Sequence, residues 1–227
     1  MKRRLSTQRT GGFTGWDLLA CVVTGVLFVG VFLPYLARPR SHCCSSPRIT
    51  CVSNLKQIGL AFRMWANDHG EMLPMNSLAS STVEGTLGFA LTGEVWRHFQ
   101  IISNELSTPK VLVCPSDPQR TRVTDWTAFT NNSHLSYFAG LDADGTNPQT
   151  ILSGDRNLTS KVKPIKGVLS LTADDRVEWT KAMHNQVGNI GLGDGSAQQV
   201  TSISLSKQLQ SALLSTTQAA HRLALPE

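Results

Sequence analysis

An almost uninterrupted apolar run, Leu18 to Ala37, stands directly behind a basic tip that carries Lys2, Arg3, Arg4 and Arg9 and no acid. About twenty helical residues rising 1.5 Å each reach roughly 30 Å, the thickness of a bilayer's hydrocarbon core. Basic residues ahead of such a run keep the tip in the cytoplasm and send the chain beyond the run outward. Arg38 and Arg40 on the far side weaken that bias without cancelling it. A cleaved secretory signal has a shorter apolar core and a small-residue cleavage site, whereas this run ends in Tyr-Leu-Ala-Arg-Pro. A lipoprotein signal would place its apolar core before the cysteine of Leu18-Leu19-Ala20-Cys21, and here the core lies after it. The expectation is a retained transmembrane helix over 13–37, single-pass, with the N-terminus in the cytoplasm and the rest of the chain outside.

The formal net charge of +5 invites a nucleic-acid reading, but its distribution removes it. Through Arg63 the chain carries nine basic residues against Asp17 alone. From residue 64 onward it carries 12 basic and 15 acidic residues, a slightly acidic domain with no basic stripe for phosphate. At 227 residues the chain suits one sizeable domain and is too short for the two full domains most cofactor enzymes use.

Pro39 and Pro47 each deny a helix one donor and restrict the residue before them, so 38–48 reads as a hinge. Helix resumes near Thr50 and runs to Asp68, before Gly70. Val52, Leu55, Ile58, Phe62 and Trp65 recur three or four apart and form one apolar stripe suited to lie on a sheet. Residues 75–93 are rich in Ser, Thr and Gly and read as an exposed loop. A second short helix is expected over Glu94–Leu106, and a strand at Val111–Val113 before the Pro115–Asp117 turn. Further strands are expected at Leu135–Leu141, Thr150–Leu152 and Val168–Thr172. Asp194-Gly195 turns a hairpin between Asn189 and Ser202, and Ile203 to Ala224 reads as a closing helix. The fold class is α+β: a long N-terminal helix, then a domain with a helix packed on an antiparallel sheet.

The segment Gly11-Gly12-Phe13-Thr14-Gly15-Trp16-Asp17-Leu18-Leu19 resembles the processing site of type IV prepilins and of the pseudopilins of type II secretion. The resemblance implies a basic leader, 1–12, removed by a prepilin peptidase between Gly12 and Phe13, with methylation of the new N-terminal Phe13. Asp17 stands where the family usually has glutamate, an acid that pairs with the methylated amine of a neighbouring subunit, and Pro34 stands at the family's helix proline. The sequence departs from the family's Phe-Thr-Leu-Ile-Glu at Gly15, Trp16 and Asp17 and in its proline hinge. Farther on, Cys51-Val-Ser-Asn54-Leu55-Lys56-Gln57-Ile58-Gly59, Trp65-Ala66-Asn67-Asp68, Leu73-Pro74 and Cys114-Pro115 resemble a large bacterial group of pseudopilin-like proteins. His184, nine residues and then Asp194-Gly195 reproduce the H-X9-DG element of that group, within a pseudopilin-like domain over 49–227. At these family-matching positions, Cys51 and Cys114 are the implied disulfide.

The remaining reactive residues point away from an enzyme. His184 and Asp194 lack a nucleophile or metal partner in any recognisable motif, and the six histidines show no ligand spacing. The expected role of His184 is a hydrogen bond to the backbone of the Asp194-Gly195 turn. Asp142 and Asp144, alternating beside Gly145, resemble a fragment of a calcium loop, although an Asp-Gly turn explains them equally well. Cys43 and Cys44 are open to bridging other subunits, binding a metal or staying reduced.

The function these resemblances imply is structural. The chain would be a pseudopilin-like subunit of the bacterial cytoplasmic membrane, its soluble domain periplasmic or extracellular. Trp16, Val22, Val26 and Val29 would supply apolar surface for a type II secretion or type IV pilus-like filament, with Asp17 setting register. The implied partners are the prepilin peptidase, other pseudopilin subunits, a secretion ATPase with its membrane platform, and membrane lipid, with no nucleic acid. The alternative is a membrane-anchored binding or display module that uses the pilin-type stem without forming filaments.

Overall fold

The computed structural model describes residues 15–36, 47–77, 85–216 and 218–227, with the side chains of the first helix described over 15–30. The chain divides into two compact units, Met1–Cys44 and Ser45–Glu227. In the first, helix α1 runs Gly15–Leu36 and carries Asp17 in its first turn. Every side chain described along it is exposed.

The transmembrane stem expected over 13–37 requires correction. Among the described residues no helix is long and apolar enough to cross a membrane. Within α1, Asp17, Thr24, Gly15, Gly25 and Gly30 interrupt the apolar residues. Pro34 lies within α1, while Gly12, Phe13, Cys43 and Cys44 lie outside the described residues.

The second unit begins with helix α2, Pro47–Asp68. Pro47 and Arg48, assigned to the hinge from sequence, belong to the helix, because a proline in the first turn gives up a donor that has no partner there anyway. Cys51, Leu55, Ile58, Phe62 and Trp65 form the buried stripe, with Cys51 taking the core position expected of Val52, which is only half-buried. The helix stops where Gly70 and Glu71 both turn left-handed, at φ 68° and 65°.

Among the described residues eight strands follow: β1 Tyr137–Gly140, β2 Ile151–Asp155, β3 Leu158–Ser160, β4 Val168–Leu171, β5 Val177–Trp179, β6 Val187–Leu192, β7 Ala197–Thr201 and β8 His221–Ala224. Six form an antiparallel sheet in the order β4-β8-β1-β2-β6-β7, and β3 pairs with β5. Successive strand residues face opposite ways. Tyr137, Ala139 and Leu152 join α2, Phe99 and Phe129 in one core. Phe138, Ile151, Ile190 and Leu192 join Leu205, Leu209 and Leu213 of helix α5, Ser202–Leu214, in another. Helices therefore cover both faces, which is why β1 and β2 are buried at every position instead of alternating.

Three stretches depart from the sequence expectation. Residues 94–106 form two short helices, α3 Trp96–Gln100 and α4 Ser103–Leu106, in place of one. Val111–Val113 is no strand: Pro109–Leu112 forms a 3-10 turn capped by Thr108, whose side chain accepts from the Lys110 N–H. The closing helix ends at Leu214, where the hydroxyls of Ser215 and Thr216 donate to the carbonyls of Ala212 and Leu213. Such back-bonding satisfies the last carbonyls and stops the helix, and the chain returns as β8 between β4 and β1. Of the 75–93 loop, residues 78–84 lie outside the described residues. Its flanks are tied together by Thr86 N–H to Pro74 O and Leu87 N–H to Ser77 O, at 2.7 and 3.0 Å.

Candidate functional site

The chemistry-bearing residues gather beneath the first half of α2. Cys51, one turn into the helix, and Cys114, just past the 3-10 turn, form a disulfide with a Cα–Cα distance of 5.4 Å and a sequence separation of 63. Closing a loop of that length stabilises the folded domain by about 4 kcal/mol in the chain-entropy description. Both cysteines are buried.

His184 reaches the same point from the loop before β6. Its Nε2 lies 3.3 Å from Cys114 Sγ and 3.4 Å from Asp155 Oδ2. Its backbone carbonyl accepts from the Arg48 guanidinium at 2.8 Å, tying this loop to the start of α2. Asn185 and Gln186 come after it at φ 55° and 65°, two consecutive left-handed residues that turn the chain sharply and hold the imidazole inward. Burial, reinforced by the nearby Arg48 charge, lowers the His184 imidazole to about 4, so the ring is neutral at physiological pH.

Asp155 ends β2 with no exposed surface. Its Oδ2 accepts from both the backbone N–H and the side-chain amide of Asn189, each at 2.8 Å. Its Oδ1 is buried without a partner. Burial pushes this carboxyl up to about 7, against the lowering effect of the two Asn189 bonds. A second carboxylate beside it behaves oppositely. Asp117 accepts two bonds from Arg156, at 2.7 and 2.8 Å. Burial raises its carboxyl, and the Arg156 bonds and charge more than offset that, leaving it below its ordinary value. Asn54 of α2 donates to the Tyr137 hydroxyl at 3.2 Å, closing the polar layer between helix and sheet.

Asp194 and Gly195 sit at the other end of β6, in the β6–β7 turn. Asp194 Oδ1 accepts from the Ser196 N–H at 2.8 Å, and Gly195 takes φ 84°. The bond expected between His184 and this turn is not made, because the six residues of β6 span about 20 Å at 3.3 Å each. Instead the two ends of the motif grip α2 at separate points. His184 touches the disulfide at Cys114, the bridge to Cys51 of α2, while Gly195 lies so close beneath Gly59 that a Cβ there would stand 2.9 Å from the Gly195 Cα and O. No family model, curated protein or solved structure matches this chain. The spacing of the motif thus has a physical reading within this chain alone: one strand length separates two clamps on one helix.

The calcium-loop residues are engaged elsewhere. Both Asp142 oxygens accept from the Arg222 side chain, and Oδ2 also accepts from the Arg222 N–H at 2.7 Å. Asp144 Oδ1 accepts from the N–H and hydroxyl of Thr146, both at 2.8 Å. A calcium ion at Asp142 would have to displace a guanidinium.

Sequence reasoning gives Asp155, Asn189 and Gly59 no role in the site, and finds no shared ligand set among the histidines. A signal is present for each of the three. An aspartate closing Ile151-Leu152-Ser153-Gly154 and an asparagine inside a strand demand buried partners, and a glycine inside a helical stripe marks a close approach. The convergence of His184 on Cys51 and Cys114, whose three ligand atoms lie within 4.8 Å of one another, depends on tertiary packing and has no local signature.

Proposed function

We propose that the chain is a structural, pseudopilin-like subunit, processed between Gly12 and Phe13 and assembled through α1 into a type II secretion or type IV pilus-like filament. The observation that carries this reading is α1 itself. It is a helix of 22 residues on which the Trp16, Val22, Val26 and Val29 side chains are 54–81% exposed. Exposed apolar surface on this scale calls for burial against a partner, and parallel copies of the same helix meet that need. The Cys51–Cys114 disulfide suits a domain working in the periplasm or outside the cell, beyond the reducing cytoplasm. His184, Asp194 and Gly195 then act structurally, holding α2 to the sheet, and the subunit performs no reaction of its own. The peptidase, the ATPase and its membrane platform are the partners this reading requires.

The test is the mass of the N-terminal peptide of protein isolated from native cells, combined with oxidative cross-linking through Cys21, the exposed free thiol on α1. The expected result is a peptide starting at N-methylated Phe13, together with dimers that disappear in Cys21→Ser. A peptide starting at Met1 refutes processing, and methylated Phe13 without Cys21 dimers refutes assembly through α1 and favours a display module.

A further inference from the structure

The disulfide and His184 have a second chemical identity. Two cysteine sulfurs and one imidazole nitrogen, buried and within 4.8 Å of one another, are zinc-type donors for three positions of a tetrahedral site. We propose that in its dithiol form the domain binds one zinc-class divalent cation through Cys51 Sγ, Cys114 Sγ and His184 Nε2, so that metal and disulfide are alternative cross-links of α2 to the Cys114 loop.

The distances fit with little movement. Zinc ligated at about 2.3 Å by sulfur and 2.0 Å by nitrogen holds neighbouring donors roughly 3.5–3.8 Å apart in a tetrahedron. The His184 Nε2 to Cys114 Sγ distance is already 3.3 Å. Once the S–S bond is open the two sulfurs need to part by less than about 2 Å, a side-chain rotation rather than a backbone change. An independent observation points to the same place. The Asp155 carboxyl, with Oδ2 3.4 Å from Nε2 and Oδ1 buried without a hydrogen-bond partner, offers negative charge beside a cation held there. The three proposed ligands are all buried.

The redox balance is simple. The newly made chain carries both cysteines as thiols, and metal binding releases one proton from each. Later thiol–disulfide exchange with a disulfide-bearing oxidoreductase passes two electrons to that disulfide, which takes up two protons and becomes two thiols, while the S–S bond forms here and the cation is freed. In the test a phosphine reverses that step, taking oxygen from water to become the phosphine oxide while the disulfide becomes two thiols.

The experiment uses the full chain with Cys21, Cys43 and Cys44 changed to serine, leaving Cys51 and Cys114 as its cysteines. The oxidised protein is verified as folded by circular dichroism, reduced anaerobically with a phosphine, and titrated with cobalt(II) and then zinc(II). The expected result is one cobalt per chain, with a thiolate-to-cobalt charge-transfer band and the intense visible bands of a tetrahedral centre, both erased by zinc. The oxidised protein should show neither. His184→Ala, which keeps the disulfide and is checked for folding in that form, should weaken cobalt binding by at least the roughly 10–100-fold that loss of an outer-shell partner costs. Absence of the charge-transfer band in the reduced chain overturns the proposal, and so does a band that persists in His184→Ala at unchanged affinity.

Discussion

Helices α1 and α2 are each 22 residues long, yet they meet opposite fates. Along α1 the described side chains are exposed throughout, whereas α2 buries nine residues along one side. The difference lies in what stands between the apolar residues. In α1 they also recur four apart, as Leu18-Leu19, Val22-Val23 and Val26-Leu27, but beyond Asp17 no charged residue separates them. In α2 they recur three or four apart, with Lys56, Gln57, Arg63 and Asn67 between them, so one face buries while the other stays wet. A charged second face gives a helix one side for water and one for its own domain. Without it the helix has only a need for company.

The sharpest way to break that comparison is to truncate one apolar side chain on each helix. Phe62 is fully buried, with its ring 5.7 Å from that of Phe99 in an edge-on contact. Phe62→Ala should cost the domain about 3–5 kcal/mol in a denaturant titration, the range for a buried aromatic leaving a cavity. Val26→Ala, at a residue 66% exposed, should stay within about 0.5 kcal/mol in the same assay. Comparable losses at both sites would mean that α1 is buried within its own chain, removing the main support for assembly through it.

A second prediction concerns the polar layer under α2. Burial raises the Asp155 carboxyl to about 7, well above an unfolded value near 3.9. The folded state therefore holds this proton more tightly than the unfolded chain does. That advantage is complete below about pH 4 and is lost as the pH rises through 7. His98, which burial lowers to about 4, works in the opposite sense, its stabilising neutrality failing as the pH falls from 6.5 to 4. Asp155→Asn removes the first effect and keeps the second. Between pH 4 and 7 the variant should gain on the parent by a few kcal/mol, read from denaturation midpoints at three pH values. Parallel pH curves for the two proteins would show that Asp155 is ionised inside the fold, paired with a charged His184.

The same contrast explains how much of the molecule is legible in its sequence. The stripe of α2, the β6–β7 hairpin with its Asp194-Gly195 turn and the α+β class are local patterns, and the sequence displays them directly. The second covering helix and the entry of β8 between β4 and β1 are not local. His221 to Ala224 reads as helix until Ser215 and Thr216 are seen to back-bond and end α5. The apolar run of α1 is legible as a helix, but the membrane span read from it is not met among the described residues. The candidate site is half legible. His184, Asp194, Cys51 and Cys114 stand out, while the Asp155–Asn189 pair beside the imidazole does not, because each looks like an isolated polar residue in an apolar strand.

The finest contrast between the two helices is at their glycines. A Cβ on Gly25 of α1 would find no atom within 4 Å, whereas a Cβ on Gly59 of α2 would meet the Gly195 backbone at 2.9 Å. Backbone cannot swing aside as a side chain tip can, so Gly59→Ala must lift α2 from the β6–β7 turn or distort that turn. The expected loss is about 1–3 kcal/mol, the cost of overpacking a tight contact. Gly25→Ala should do the reverse, since alanine is the better helix former by about 1 kcal/mol where space is free. Its signature is increased helical circular dichroism with an unchanged domain midpoint. A loss at Gly59 without a gain at Gly25 would mean that α1 already packs tightly at Gly25 against another chain, since a close helix–helix crossing is the one environment that would refuse the added methyl.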